Sequence, residues 1–446
     1  DQETAIIIYA NVDHEDIVQI AITKEGITGN EVSNKSFVRS SIDKYDKPLK
    51  ALSRYQQGIT VTRKKNKDNL LSDMAVAKSD FDNIINYYRF LLKSPSAQYQ
   101  RGVGGITKDS KGSQSGNATE IGKGLYELLI KPMETQIKGK KNIIIVPDGI
   151  LAFVPFETLI DEDGKYLVEN KHISYVQSMG IREFVSERKY SEDRKPLLAF
   201  GGAVYDEMAY NVDMVENETQ LAYLARDVYA DLENKMSVRN AYGSLGVGTW
   251  KNLPGTLSEI RNIKKVVKKS DAFTGKNVTE KNIKEFSRNG TLSKYKVLHF
   301  ATHGLVVPEV PELSALVLSQ FKNGQGMEDG YLRMGEIAEL DIKADFVNLS
   351  ACETGLGKIY GGEGVVGLTQ SFLLAGANAV SVSLWQVPDE STSQFMVAMY
   401  DRAQDKNISY SAAIREVKRQ FINGDFGEEY KAPYFWAPFV YYGKDN

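Results

Sequence analysis

Beyond Pro254 the chain alternates apolar strand-like runs with helical stretches in a regular order, and this order constrains the fold more than any other feature. Helical patterns at 257–269 and 280–288 lead to strand-like runs at 297–301 and 315–319. A helical 334–340 leads to a strand at 346–350, and a helix at 364–375 to a strand at 379–384. Helices at 390–404 and 411–421 and a strand at 439–442 follow. Strands alternating with helices predict an α/β fold with a mostly parallel sheet flanked by helices. In such sheets the reactive crevice opens at the carboxyl ends of the strands.

The part before Pro254 is less regular. Residues 5–10 and 18–23 are β-like, separated by the acidic turn Asp13-His14-Glu15-Asp16. Residues 81–92 have a helical pattern, 101–117 are Gly-, Ser- and Lys-rich and predict a loop, and 118–137 predict a helix. Asn142–Val146 predicts a buried strand stopped by Pro147-Asp148-Gly149. The charged run 187–195, followed by Pro196, is the expected domain boundary because such residues do not build a core. It divides the chain into regions 1–190 and 196–446. Residues 204–254 are expected to form a partly helical insertion.

At 446 residues the chain suits two domains or one large α/β unit. A net charge of -3 argues against a phosphate-binding surface as the main task, so nucleic acid is expected only indirectly, through a partner. No apolar run reaches the length of a membrane span, and no leader pattern opens the chain, so a cytoplasmic location is the default. The first residue is Asp1, which leaves open an upstream signal or partner domain. The chain has one cysteine, Cys352, so no internal disulfide can form.

Two motifs carry chemistry. Val297-Leu298-His299-Phe300-Ala301-Thr302-His303-Gly304 and Phe346-Val347-Asn348-Leu349-Ser350-Ala351-Cys352-Glu353-Thr354-Gly355 each run from an apolar strand into a reactive residue. A lone cysteine at a strand end is ordinarily a small buried hydrophobe. Two such residues at the ends of two strands of one sheet predict a shared crevice, with a thiolate as nucleophile and an imidazole managing its proton. Backbone N–H groups at Gly304 and Cys352 are candidate oxyanion donors, one of which is typically worth about 3 kcal/mol of barrier.

These two motifs closely resemble the signatures of the CHAT domain family, peptidases related to caspases and separases. Family-like pieces recur in order: Val146-Pro147-Asp148-Gly149, Val154-Pro155-Phe156-Glu157, Leu253-Pro254-Gly255, Leu313-Ser314-Ala315-Leu316-Val317-Leu318, Ala375-Gly376-Ala377, Ser383-Leu384-Trp385-Gln386-Val387 and Trp436-Ala437-Pro438-Phe439-Val440. The resemblance implies a caspase-like fold of two related halves, a decayed first half and a catalytic second half. It implies a cysteine endopeptidase acting on protein substrates through a His303–Cys352 dyad, without a cofactor. It also implies gating by a partner or an upstream sensor such as tetratricopeptide repeats, in settings that include bacterial defence and CRISPR effectors. A non-catalytic interaction scaffold is the alternative.

Other signals are weaker. Gly362-Glu363-Gly364-Val365-Val366-Gly367 matches a dinucleotide fingerprint, but its glycines do not directly follow a strand, so a nucleotide-binding enzyme is only a remote alternative. His299 and His303 are not on a helix and lack a HExxH context, so a metal site is not expected, and His299 is read as a core or supporting residue. Asp389 has two readings, a helix cap or a carboxylate at the floor of a pocket walled by Trp385 that receives a basic residue before the cut. Glu353 and Glu363 are further rim candidates, with solvated carboxylates as the default.

Overall fold

The computed structural model describes residues 1–12, 15–58, 79–93, 113–205, 250–307, 311–320, 329–350, 352–353 and 363–444. The strands in chain order are β1 (Thr4–Asn11), β2 (Asp16–Thr23), β3 (Gly26–Ser33), β4 (Asn142–Val146), β5 (His172–Tyr175), β6 (Lys195–Gly201), β7 (Asp271–Thr274) and β8 (Tyr295–Ala301). They continue with β9 (His303–Leu305), β10 (Ala315–Val317), β11 (Tyr331–Arg333), β12 (Phe346–Leu349), β13 (Cys352–Glu353), β14 (Ala379–Ser383) and β15 (Phe439–Gly443). The helices used below are α1 (Lys35–Gly58), α2 (Asp80–Leu92), α3 (Ser113–Leu129), α4 (Met179–Ser186), α5 (Pro254–Val266), α6 (Glu280–Arg288), α7 (Met334–Ala338), α8 (Glu363–Ala375), α9 (Asp389–Lys406) and α10 (Tyr410–Asn423).

Eleven strands form one sheet in the order β3-β2-β1-β4-β5-β15-β14-β12-β8-β6-β7. Neighbours are antiparallel at β1–β2, β2–β3 and β14–β15 and parallel elsewhere. Strands such as β14 are buried at every position, the pattern of a sheet covered on both faces. Adjacent residues of β8 show this cover directly, because successive side chains point to opposite faces. His299 meets Glu259 of α5 and Tyr400 of α9, whereas the Phe300 ring lies 5.6 Å from Phe372 of α8. Among the described residues, no helix is long and apolar enough to cross a membrane.

The sheet does not break at the boundary expected between residues 190 and 196. β5 lies beside β15, meeting it at Tyr175 and Tyr442, whose rings are 5.3 Å apart. Across the same seam, Lys418 of α10 donates to Glu157 at 2.7 Å, with both side chains at most 3% exposed. The Tyr175 hydroxyl bonds to the same carboxylate and accepts from the Phe156 amide at 2.9 Å. Glu157 of the Val-Pro-Phe-Glu motif is thus a buried anion whose cation comes from the distant α10. The charged run 187–195 is also not a free linker. Arg188 donates to the Ala377 carbonyl at 2.7 Å, the Tyr190 hydroxyl to the Gly376 carbonyl at 2.8 Å, and Arg194 to Asp345 at 2.9 Å. Its charges dock on the second region by capping carbonyls and pairing with a carboxylate.

Two expectations change. The strand expected at 315–319 is β10, which joins a separate sheet of order β11-β10-β9-β13. The loop expected at 101–117 overlaps α3, which begins at Ser113; residues 101–112 lie outside the described residues. The edge strands β3 and β7 and the short β5 had no clear sequence signature. Most of the insertion at 204–254, Asp13 and His14 of the acidic turn, and Gly362 of the glycine motif also lie outside the described residues.

Candidate active site

β8 and β12 are parallel neighbours, with Asn348 opposite His299 and Leu349 opposite Phe300. Both then cross into the small sheet, β8 continuing as β9 and β12 as β13. There β9 and β13 are again parallel neighbours, with Cys352 opposite His303 and Glu353 opposite Gly304. His303 follows His299 by four positions and Cys352 follows Asn348 by four, so the register is the same in both sheets.

That register is pinned from below. The Asn348 side-chain amide donates to His299 Nδ1 at 3.0 Å, and the Tyr400 hydroxyl lies 3.0 Å from the same nitrogen. His299 and Asn348 are fully buried. His299 Nε2 is 2.9 Å from the Glu259 carboxylate, at ion-pair distance though without hydrogen-bond alignment. A one-residue slip would turn these polar side chains toward the opposite face and strand them there, which strongly favours a single alignment. His299 therefore supports the site from within the core.

His303 is 8% exposed. Its Nε2 donates to the Lys251 carbonyl at 2.7 Å. A carbonyl only accepts, so Nε2 carries the hydrogen and Nδ1 is the basic nitrogen of the neutral ring. Burial lowers the basicity of His303 below the ordinary imidazole value of 6.5, and the Lys251 carbonyl partly opposes this. The ring lies 5.0 Å from that of Tyr205 and 4.9 Å from that of Trp250. Gly304 lies between Leu316 of β10 and Glu353 of β13.

The remaining predicted residues divide. Trp385 is 1% exposed and donates its indole N–H to the Tyr434 carbonyl at 3.0 Å, so it fills the core rather than walling an open pocket. Asp389 is exposed, not buried at a floor. It opens α9, and its carboxylate accepts from the Gly255 amide at the start of α5. A Cβ on Gly255 would come within 2.2 Å of Asp389 Oδ2, which accounts for the glycine after Pro254. Desolvation, then the nearby Glu259, raises the Asp389 pKa, and the Gly255 amide opposes them. Glu353 sits beside Gly304 in β13, and Glu363 opens α8. In the glycine motif, Gly367 packs against Met334 of α7, where a Cβ would lie 2.4 Å from the methionine methyl.

Three residues that touch His303, and one that bonds just beyond β14, had no clear sequence signal. Tyr205, Trp250 and Lys251 border or belong to a stretch read only as an irregular insertion. Arg89 of α2 is 1% exposed, stacks over Phe153 at 4.8 Å and donates to the Leu384 carbonyl, just beyond β14, at 3.3 Å.

A model of the CHAT domain matches residues 119–444. Tetratricopeptide repeat protein 28 of Homo sapiens is 23% identical over 359 residues, which is 72% of this chain and 13% of the human protein. Its Mus musculus counterpart is 29% identical over 114 residues, 26% of this chain and 4% of that protein. The chain thus spans a small part of these relatives. Among solved structures, the Saccharomyces cerevisiae separase–securin complex aligns with 99% of this chain and 30% of its own, at 11% identity and a TM-score of 0.45. The Arg specific cysteine proteinase gingipain R aligns with 76% of this chain and 70% of its own, at 11% identity and a TM-score of 0.41.

Proposed function

The chain belongs to the CHAT domain family, and from that premise we propose that it is a cysteine endopeptidase that cuts protein substrates through His303 and Cys352. The observation that carries this reading is the parallel register of Cys352 with His303, continued from His299 and Asn348 in the large sheet. In the proposed reaction the Cys352 thiol gives its proton to His303 Nδ1, and the thiolate attacks the scissile carbonyl. The tetrahedral oxyanion is held by backbone N–H groups, with Gly304 and Cys352 the proposed donors. Collapse releases the amine, which takes the proton from His303, and leaves a thioester that water hydrolyses.

The exposed Asp389 carboxylate, beyond the end of a strand next to β12, is the proposed reader of an Arg or Lys before the cut. Glu353 and Glu363 are proposed rim carboxylates. Family analogy alone adds gating by a partner or an upstream tetratricopeptide-repeat sensor, in a cytoplasmic bacterial defence setting.

The test is cleavage by the purified protein, read as new N-termini in a labelled proteome digest. Wild type should create a small set of them, and Cys352→Ala and His303→Ala none. Iodoacetamide should abolish cleavage and a chelator should not. Cleavage by Cys352→Ala would rule out the assigned nucleophile.

A further inference from the structure

We propose that Trp250 and Tyr205 are positioning residues for His303, their rings packing against the imidazole to fix the direction of Nδ1. The proposal rests on the dyad reading above and deepens it. The Lys251 carbonyl holds one corner of the ring, but a single hydrogen bond leaves the ring free to pivot about the N···O line. Packed neighbours remove that freedom.

Both neighbours are themselves tied down. The Trp250 indole N–H donates to the Tyr331 hydroxyl of β11 at 3.0 Å, and the Tyr205 hydroxyl donates to the Val317 carbonyl of β10 at 2.8 Å. The Tyr205 amide donates to Asn252 Oδ1 at 2.8 Å, linking the two segments that carry the rings. Trp250 is 7% and Tyr205 3% exposed. The two rings are therefore anchored to β10 and β11 of the same small sheet whose other strands carry His303 and Cys352. When the thiol ionises, the S–H bond breaks, the electron pair stays on sulfur and the proton forms N–H at Nδ1. The resulting imidazolium then lies against aromatic rings, whose faces attract a cation.

The chain has one cysteine, so iodoacetamide alkylation reports on Cys352 alone. The alkylation rate of the whole protein is measured from pH 5 to 9. In wild type the midpoint should lie below the value of about 8.5 for a free thiol. Trp250→Leu should raise the midpoint by about one unit and slow alkylation at pH 6.5 about tenfold. Trp250→Phe, which keeps a ring, should recover most of the rate; a packing defect alone would leave the profile unmoved. Should Trp250→Leu not fold, Tyr331→Phe decides, because it frees the indole N–H without removing a ring. It should shift the midpoint in the same direction by a smaller amount. A wild-type profile in the deciding variant, with His303→Ala shifted upward, overturns the positioning role and leaves the dyad standing. An unshifted profile in His303→Ala overturns the dyad, and the positioning role with it.

Discussion

At the carboxyl ends of β1 and β4, the chain closes on itself. The Asn11 amide donates to Asp148 Oδ2 at 2.9 Å, and its side-chain amide donates to the Asp148 carbonyl at 3.2 Å. At the carboxyl ends of β8 and β12 the strands do not close but continue into β9 and β13, bringing His303 beside Cys352. The layers differ as well. Around β8 both faces lie under helices, whereas among the described residues one face of the first region carries a small separate cluster of Ile6, Val146 and Val176, with the half-buried Ile8, Ile22, Ile144 and Met179 of α4 against it. The contrast teaches that a two-residue site drawn from separate strands depends on their register, which burial on both faces of β8 and β12 favours. The first region uses its polar groups to seal its strand ends and to grip its neighbour.

The largest expected effect tests that contrast directly. Removing either member of the dyad should lower cleavage by about 10³-fold or more, and removing both should do little further harm, because such residues act as a unit. Asn11→Ala and Asp148→Ala should change cleavage less than about twofold, since surface polar changes away from the site are usually mild. Cleavage assays on these five variants break the comparison if the first region's strand ends matter as much as the second's.

Next in size is the grip between the regions. Lys418→Ala leaves Glu157 buried without its cation and should cost about 3 kcal/mol in a urea melt. Glu157→Gln with Lys418→Met should recover much of the loss, because replacing a buried pair is cheaper than breaking it. A melt in which Lys418→Ala is neutral would show that this pair does not hold the seam.

A smaller effect is expected at Asp389. Asp389→Ala should reduce cutting after Arg or Lys about tenfold, as expected for the loss of one charge contact of roughly 1.4 kcal/mol, while the alkylation profile stays put. Loss of stability with unchanged site preference would assign Asp389 to its bond with Gly255 instead.

The smallest effect is in the pH dependence of stability. Burial holds the His303 pKa below 6.5. As pH falls through 6.5 the unfolded chain takes up a proton that the folded chain refuses, so stability is full above this value and is lost on the acid side. Between pH 7 and pH 5 the melting temperature of wild type should therefore fall more steeply than that of His303→Asn. Equal slopes would mean that the ring is not desolvated.

How much of this was legible depended on whether each residue announced itself locally. β8 and β12 did, because each is a mostly apolar run ending near a reactive residue, and a parallel sheet buries such runs whole. β3 did not. Gly26–Ser33 is exposed along almost its whole length, so no burial pattern marks it. The small sheet was missed because its strands have two or three residues each, too few to show a period. Tyr205, Trp250 and Lys251 reach His303 across some fifty or more residues of chain, and nothing in their own neighbourhoods reports that contact. Trp385 misled in the opposite sense. An aromatic residue beyond a strand suggested a pocket wall, but its N–H finds the Tyr434 carbonyl and the ring is buried.

The place of β15 has a consequence for how the protein is made. Among the described strands β15 comes last in chain order, yet it sits between β5 and β14 near the middle of the large sheet. On a ribosome the earlier strands emerge first, at about 5–20 residues per second. Until Phe439–Gly443 follows, β5 and β14 each present an unpaired edge, which invites pairing with other chains. Joining β5 to β14 therefore requires a strand that follows both of them in the sequence. The order in which the sheet can close is therefore set by topology, because β15 has to arrive before β5 and β14 lose their open edges.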